Sequence, residues 1–441
     1  MIQEGLLKRF PRSADKKKDL ATIVFFKSEE ERLSGEKEQA QASLKRAIEL
    51  YDEAIKLSPS NVFAHRLKGQ ALISRADQET TSKEYSAAEQ SYHAAWKEYD
   101  KALQLAPRDI WGWWGKCKTL TNRGDLKGKI RDYRCEMGSY INALACLQEA
   151  IDLAPNKRAY RDQQAYLCHK IALRLARRKC ISRAVRMQAK AVAACDAAIE
   201  LDAQDFWAYN NRLQELKFIA RFETGSKAVS SYKKLADTCR QRITLNPDNN
   251  EFKMELANAL YRQAYWLRKT NPDADPSELL QNAASFADQA AHSDKFEREA
   301  TETKGRAFYL LAQFQTESGK TEPALASINR AIASYDKNLE PCSWPNELYL
   351  SKGIALWARA RIEAKQSKRE AALASFAEAT KAFNACMDRE NIAVKERYGR
   401  GSLLVDATTL QAKMSQGTHK PISFAQAEQA IDQRYRQQNR W

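Results

Sequence analysis

Alanine stands at every forty-eighth position of this chain, at Ala47, Ala95, Ala143 and Ala191. After a four-residue contraction to Leu235 the same step resumes at Ala283, Ala331 and Ala379. A second ladder repeats the spacing and the contraction: Gly69, Cys117, Ala165, Leu213, Ala257, Gly305, Gly353 and Gly401. Four residues after each step of the first ladder stand Tyr51, Tyr99, Leu147, Cys195, Cys239, Ala287, Tyr335 and Phe383, larger groups in most repeats. A fixed period of this size is the signature of a solenoid, in which each repeat buries its apolar face only against its neighbours. Eight repeats are defined from end to end.

Each repeat reads as two helices. Apolar residues recur at steps of three and four over runs longer than a strand needs, and no segment alternates convincingly. In the second repeat Ser60, after Pro59, is placed to cap a first helix carrying Phe63, Leu67, Ala71 and Leu72. A polar break at 78–82 precedes a second helix whose stripe is Tyr85, Ala88, Tyr92, Ala95, Tyr99, Ala102 and Leu105, ending before Pro107. Helices of about 20 residues are roughly 30 Å long. Small residues on the ladders mark the places where two helix backbones approach closely. The predicted fold class is all-α, a solenoid of about eight antiparallel helix pairs.

The segments that end the second helices, YDEAIKLSP at 51–59 and YDKALQLAP at 99–107, resemble the tetratricopeptide repeat, as do 147–155, 195–201 and 239–247. The pairs Lys68-Gly69, Lys304-Gly305 and Lys352-Gly353 fall where that family carries its small first-helix residue. The resemblance covers nearly the whole chain and is strongest in the first five repeats. The family's repeat is 34 residues, and the fourteen extra residues here amount to about four helical turns, which lengthen both helices and keep their faces in phase. The resemblance implies a right-handed superhelix with an atypical N-terminal helix in residues 1–35, a repeat array over 36–410, and a capping helix with a basic tail over 411–441. Pro421 and the Ser423-x-x-Gln426 capping box mark the start of that last helix.

The resemblance also implies a concave groove lined by the first helices. Counting from the glycine ladder places Phe63, Arg66, Gln70, Trp111, Trp114, Lys118, Tyr166, His169, Lys170, Trp207, Asn210, Lys217 and Phe218 on it, aromatic groups interleaved with bases. In the second half the same positions are rich in glutamate, among them Glu251, Glu299 and Glu302. Aromatic and basic side chains supply much of the energy at interface hot spots, so such a groove suits an extended or helical protein segment with acidic or apolar side chains. For any single aromatic, packing between long helices is the competing reading.

The chain holds 72 basic and 56 acidic residues, a net charge of +16. Between Lys157 and Lys190 eleven bases meet one acid, Asp162; Arg158, Arg161, Arg174, Arg177, Arg178, Lys179, Arg183 and Arg186 form the candidate basic patch. A solvated helix face is one reading. The other is a positive field that steers acidic protein or nucleic acid phosphate.

Nine cysteines without a CxxC pair, several on the ladders, read as small buried hydrophobes of a reducing cytosol. The five histidines are not spaced as metal ligands, and no phosphate loop or nucleophile elbow occurs. No catalytic residue, metal, cofactor or small-molecule substrate is therefore expected. The apolar run Ala21–Phe26 is too short to span a membrane and lacks the order of a secretory signal. The expected role is a cytoplasmic protein-interaction scaffold or regulatory adaptor subunit. The alternative is a nucleic-acid-associated helical repeat that uses the Lys157–Lys190 block.

Overall fold

The computed structural model describes residues 13–293, 295–337 and 346–388. Among them every regular element is an α-helix, and the chain divides into two compact units between Phe222 and Glu223. The division falls at the four-residue contraction of the repeat.

The first unit contains the hairpins α1 (Ala14–Leu33) with α2 (Lys37–Leu57), α3 (Val62–Thr81) with α4 (Tyr85–Leu105), α5 (Ile110–Lys129) with α6 (Tyr133–Leu153), and α7 (Arg158–Arg177) with α8 (Ile181–Leu201), followed by α9 (Phe206–Phe222) packed on α8. Each hairpin stacks on the next, second helix against following first helix. The second unit begins with α10 (Gly225–Leu245) on α11 (Asn250–Thr270). It continues through α12 (Ser277–Ala290), α13 (Glu297–Glu317), α14 (Thr321–Asp336), α15 (Asn346–Lys365) and α16 (Arg369–Asp388), stacked in the same manner. Each unit is an all-α solenoid of antiparallel helices, most of them 20 or 21 residues long as the period requires, with α12 and α14 shorter at 14 and 16 residues. The expected helix and basic tail at 411–441 and the ladder residue Gly401 lie outside the described residues.

Both ladders are core. All eight steps of the first are buried, as are Gly69, Cys117, Ala165, Leu213 and Ala257 of the second. Size is exchanged across several hairpins. Opposite Tyr99 and Tyr335 of the second helices the first helices carry glycine: a Cβ on Gly69 would stand 2.8 Å from the Tyr99 ring, and one on Gly305 would overlap Tyr335; opposite Tyr51 stands Ala21. Where the second helix carries a smaller group, cysteine or alanine fills the space, as Cys117 with Leu147 and Ala165 with Cys195. Burial pushes the Cys117 and Cys168 thiols up, to about 12 and about 11, so these sulfurs act as hydrophobes.

The helix ends follow one pattern with one correction to the sequence expectation. The cap of α3 is Asn61, whose Oδ1 accepts from the Ala64 N–H at 3.1 Å; Ser60 lies in the preceding turn. At first-helix C-termini the chain closes with a left-handed residue followed by an N–H that reaches back five positions, as Glu84 to Glu79 at 2.8 Å and Cys180 to Leu175 at 2.9 Å. Six of the left-handed residues keep the spacing of the repeat, Gly35, Lys83, Arg131 and Lys179, then Gly319 and Ser367, whereas Gly225 stands off it. Glycine adopts this conformation freely, whereas a side chain costs about 1–2 kcal/mol there.

Candidate partner-binding face

The second residue of α3, α5 and α9 is a large exposed aromatic: Phe63, Trp111 and Trp207 are 58%, 56% and 67% exposed. They stand six residues before the small ladder of the first helices, 48 residues apart, with Ala159 filling the same place in α7. Asp109, the N-cap of α5, makes no capping bond. Its Oδ1 instead accepts from the Arg66 guanidinium of the preceding repeat at 3.2 Å. Arg66 in turn lies 4.9 Å from the centroid of Phe63 and 6.0 Å from that of Trp111. A cation is thus held between two exposed rings on successive first helices, with the carboxylate favoured at the positive end of α5. Trp207 is positioned by its own N–H, which donates to Asp205 Oδ1 at 2.9 Å.

Deeper along the first helices the polar side chains pair with one another. Asp125 accepts from Tyr140 at 2.6 Å, Tyr166 at 3.0 Å and Lys170 at 3.0 Å; Asp77 accepts from Tyr92 at 2.5 Å and Asn122 at 3.0 Å. Burial, and then the neighbouring carboxylate, push the Tyr92 and Tyr140 hydroxyls far up, so they remain donors. His169 Nδ1 meets Glu215 at 2.8 Å, and burial raises that carboxyl. Tyr92 and Tyr140 bond within their own hairpins, whereas the bonds of Asn122, Tyr166, His169 and Lys170 join residues about one repeat apart in sequence, so Tyr166, His169 and Lys170 fasten neighbouring helices.

Of the other expected groove residues, Gln70 and Lys118 are exposed, Asn210 and Lys217 are half-buried, and Phe218 is buried. Trp114 is half-buried, packed on Tyr160 at a ring separation of 4.9 Å against the core around Cys117 and Tyr140. Trp113 Nε1 donates to the Pro107 carbonyl at 2.9 Å, so it too is a packing residue. Phe63, Arg66 and Trp111 are therefore the expected residues that converge on one exposed feature. Their partner Asp109 escaped the sequence reading; its signal was the 48-residue series of helix caps.

The Lys157–Lys190 block does not form one patch. Helix α7 spans 20 residues and sets its two ends roughly 30 Å apart. At its start Arg158 lies 3.3 Å from Asp202 and 3.2 Å from Asp205, and Arg161 donates to Gln164 at 3.3 Å. Near its end Arg174 is neutralised by Glu136 at 2.7 Å and lies 4.3 Å over the Tyr133 ring. Beyond it Arg177, Arg178, Lys179, Arg183 and Arg186 are exposed. The sequence reading missed Lys129, Arg131 and Arg134, exposed at the turn of the preceding hairpin. The period carried that signal, since Arg131 and Lys179 are one repeat apart.

Among the described residues no cluster of three His, Cys, Asp or Glu is placed to hold a metal ion, and no helix is long and apolar enough to cross a membrane. No protein-family model matches the sequence, and no curated protein matches it. Solved structures of helical-repeat proteins do. The chain is similar to YrrB, described as a TPR protein with an unusual peptide-binding site, at 17% identity and a TM-score of 0.34 over 59% of this chain and 97% of that one. It is similar to the S. pombe nuclear import adaptor Nro1 at 11% identity and a TM-score of 0.47, over 65% and 99%. MamA from Desulfovibrio magneticus RS-1 matches at 16% identity and a TM-score of 0.29, over 50% and 96%. The likeness is one of fold, the tetratricopeptide-like helical repeat.

Proposed function

We propose that this chain is a protein-interaction scaffold that grips a segment of another protein along the first-helix edge of its first unit. The observation that carries this reading is the Phe63–Arg66–Trp111 arrangement, in which two rings remain more than half exposed around a fixed cation. Exposed aromatics repeated at a constant step are costly to a free surface and supply anchors of the kind that dominate interfaces. An apolar partner side chain fits between the rings, and a partner carboxylate fits Arg66, whose guanidinium keeps donors beyond the one that Asp109 takes. The polar groups deeper in the face are already paired, so they hold the shape of the receptor while the edge supplies the contacts. Recognition by preformed shape requires no chemistry of the scaffold itself.

The test is quantitative affinity capture from the native host with the wild-type chain and the Phe63→Ala, Trp111→Ala double variant. The expected result is a protein retained by the wild type and reduced at least tenfold with the double variant, at an unchanged melting temperature. Equal capture by the two chains removes this edge as the interface.

A further inference from the structure

The opposite ends of the same helices carry a second surface. We propose that the hairpin-turn edge of the third and fourth helix pairs binds the phosphate backbone of a nucleic acid. Around the α5–α6 turn stand Lys129, Arg131 and Arg134. Around the α7–α8 turn stand Arg177, Arg178, Lys179 and Arg183. All are exposed, and among the described residues none has an ion-pair partner. The acids of the first turn are Asp132, 3.7 Å from Lys127, and Glu136, committed to Arg174 at 2.7 Å; residues 174–190 contain none. The charge of this edge is therefore uncompensated, which favours a polyanion.

The backbone supplies a second and independent observation. Arg131 and Lys179 occupy the left-handed position that closes their first helices, with φ of 61° each, where the first and seventh pairs use Gly35 and Gly319. A charged side chain stands at this position, as Lys83 does in the second pair, although glycine is the easier residue there. The two cations stand at the turns of successive hairpins, one repeat apart in sequence.

The class of partner follows from what the edge lacks. Its exposed large apolar groups are Ile130 and Tyr133, and Arg174 covers one face of that tyrosine. Protein interfaces have apolar cores depleted of charge, whereas nucleic acid backbones are held by Lys and Arg with little apolar contact. A row of turn tips one hairpin wide matches a linear polyanion better than the plane of a membrane. This surface is separate from the aromatic edge: Trp111 and Lys129 are eighteen residues apart on α5, roughly 27 Å.

The experiment is fluorescence anisotropy of the full chain with a labelled mixed-sequence oligonucleotide, single-stranded and duplex, over a salt series. Binding at low salt that weakens linearly in log salt is expected, each neutralised phosphate adding about 0.7–0.9 to the slope. Arg177→Glu with Arg178→Glu and Lys179→Glu should abolish binding, whereas Lys157→Glu, at the other end of α7, and Phe63→Ala with Trp111→Ala should leave it unchanged. Arg131→Gly with Lys179→Gly should raise the melting temperature while lowering the salt slope by about 1.4–1.8. That pairing of opposite effects separates recognition from damage to the fold. The proposal is overturned by no binding at low salt, by an unchanged affinity and slope in the charge variants, or by tighter binding of poly-glutamate or of phosphatidylserine vesicles than of the oligonucleotide.

Discussion

The two units use the same buried residues and different exposed ones. Gly69 under Tyr99 in the first unit and Gly305 under Tyr335 in the second solve one packing problem identically. At the second residue of the first helix the first unit places Phe63, Trp111 and Trp207; the corresponding positions of the second unit are Glu251 and Glu299. Among the described residues every strongly exposed aromatic belongs to the first unit. In the second, Asn258 instead donates to Glu299 at 2.8 Å and accepts from Thr303 at 2.8 Å, fastening neighbouring helices. Residues that repeat in both units build the scaffold, and residues that change between them mark the surface on which the units differ.

The largest expected effects fall where the units agree. A Cβ on Gly69 would stand 2.8 Å from the Tyr99 ring and one on Gly305 would overlap Tyr335, so Gly69→Ala and Gly305→Ala should each destabilise by about 1–3 kcal/mol, read as the shift of a urea midpoint. Ala95→Leu, on the fully buried ladder, belongs to the same class. If the change in one unit is harmless and in the other severe, the shared packing rule fails. Within the first unit, Trp114→Ala should cost about 2 kcal/mol because the ring packs on Tyr160. Trp111→Ala should stay within about 0.5 kcal/mol because the side chain faces solvent. Equal losses would erase the distinction between scaffold tryptophan and surface tryptophan.

That distinction shows how far the sequence could be read. The fold was legible because close backbone approach demands small residues at fixed positions, and a constant period made the demand visible from Ala47 to Ala379. The site was legible only in part. Phe63, Arg66 and Trp111 share a face by register alone. Whether Tyr166 or Trp114 is free depends on Asp125 and Tyr160, which lie elsewhere in the chain. The basic block misled for a related reason: closeness in sequence along a helix of 20 residues becomes opposite ends in space. The period was the better guide, joining Arg131 to Lys179 across one repeat.

The turn position offers a swap between the units with a smaller effect. Gly319→Lys should lower stability by about 1 kcal/mol, since a side chain is forced into the left-handed region at a φ of 75°. Lys179→Gly should raise it by a similar amount or less. A Lys179→Gly chain that is less stable than wild type would mean that the lysine contributes to folding, and thermal melts of both variants decide the matter.

The smallest expected effect is a pH dependence belonging to the first unit. His65 Nδ1 lies 2.7 Å from Glu98 and Nε2 lies 3.0 Å from the Pro59 carbonyl. Both neighbours are acceptors, so both ring nitrogens must donate, and the hydrogen bond to Glu98 raises the histidine above its ordinary value despite burial. Lys68, 2.5 Å from the same carboxylate, helps His65 to hold Glu98 below its usual range against desolvation. A raised folded-state value stabilises fully below the unfolded histidine value of about 6.5 and is lost as pH climbs through the folded one; the lowered glutamate stabilises above about 4.3 and is lost on acidification. The stability of the wild type relative to His65→Gln should therefore peak between those limits and shrink toward alkaline pH. A difference that stays flat from pH 5.5 to 9 would show that His65 is neutral in the fold and that its contact with Glu98 carries no charge.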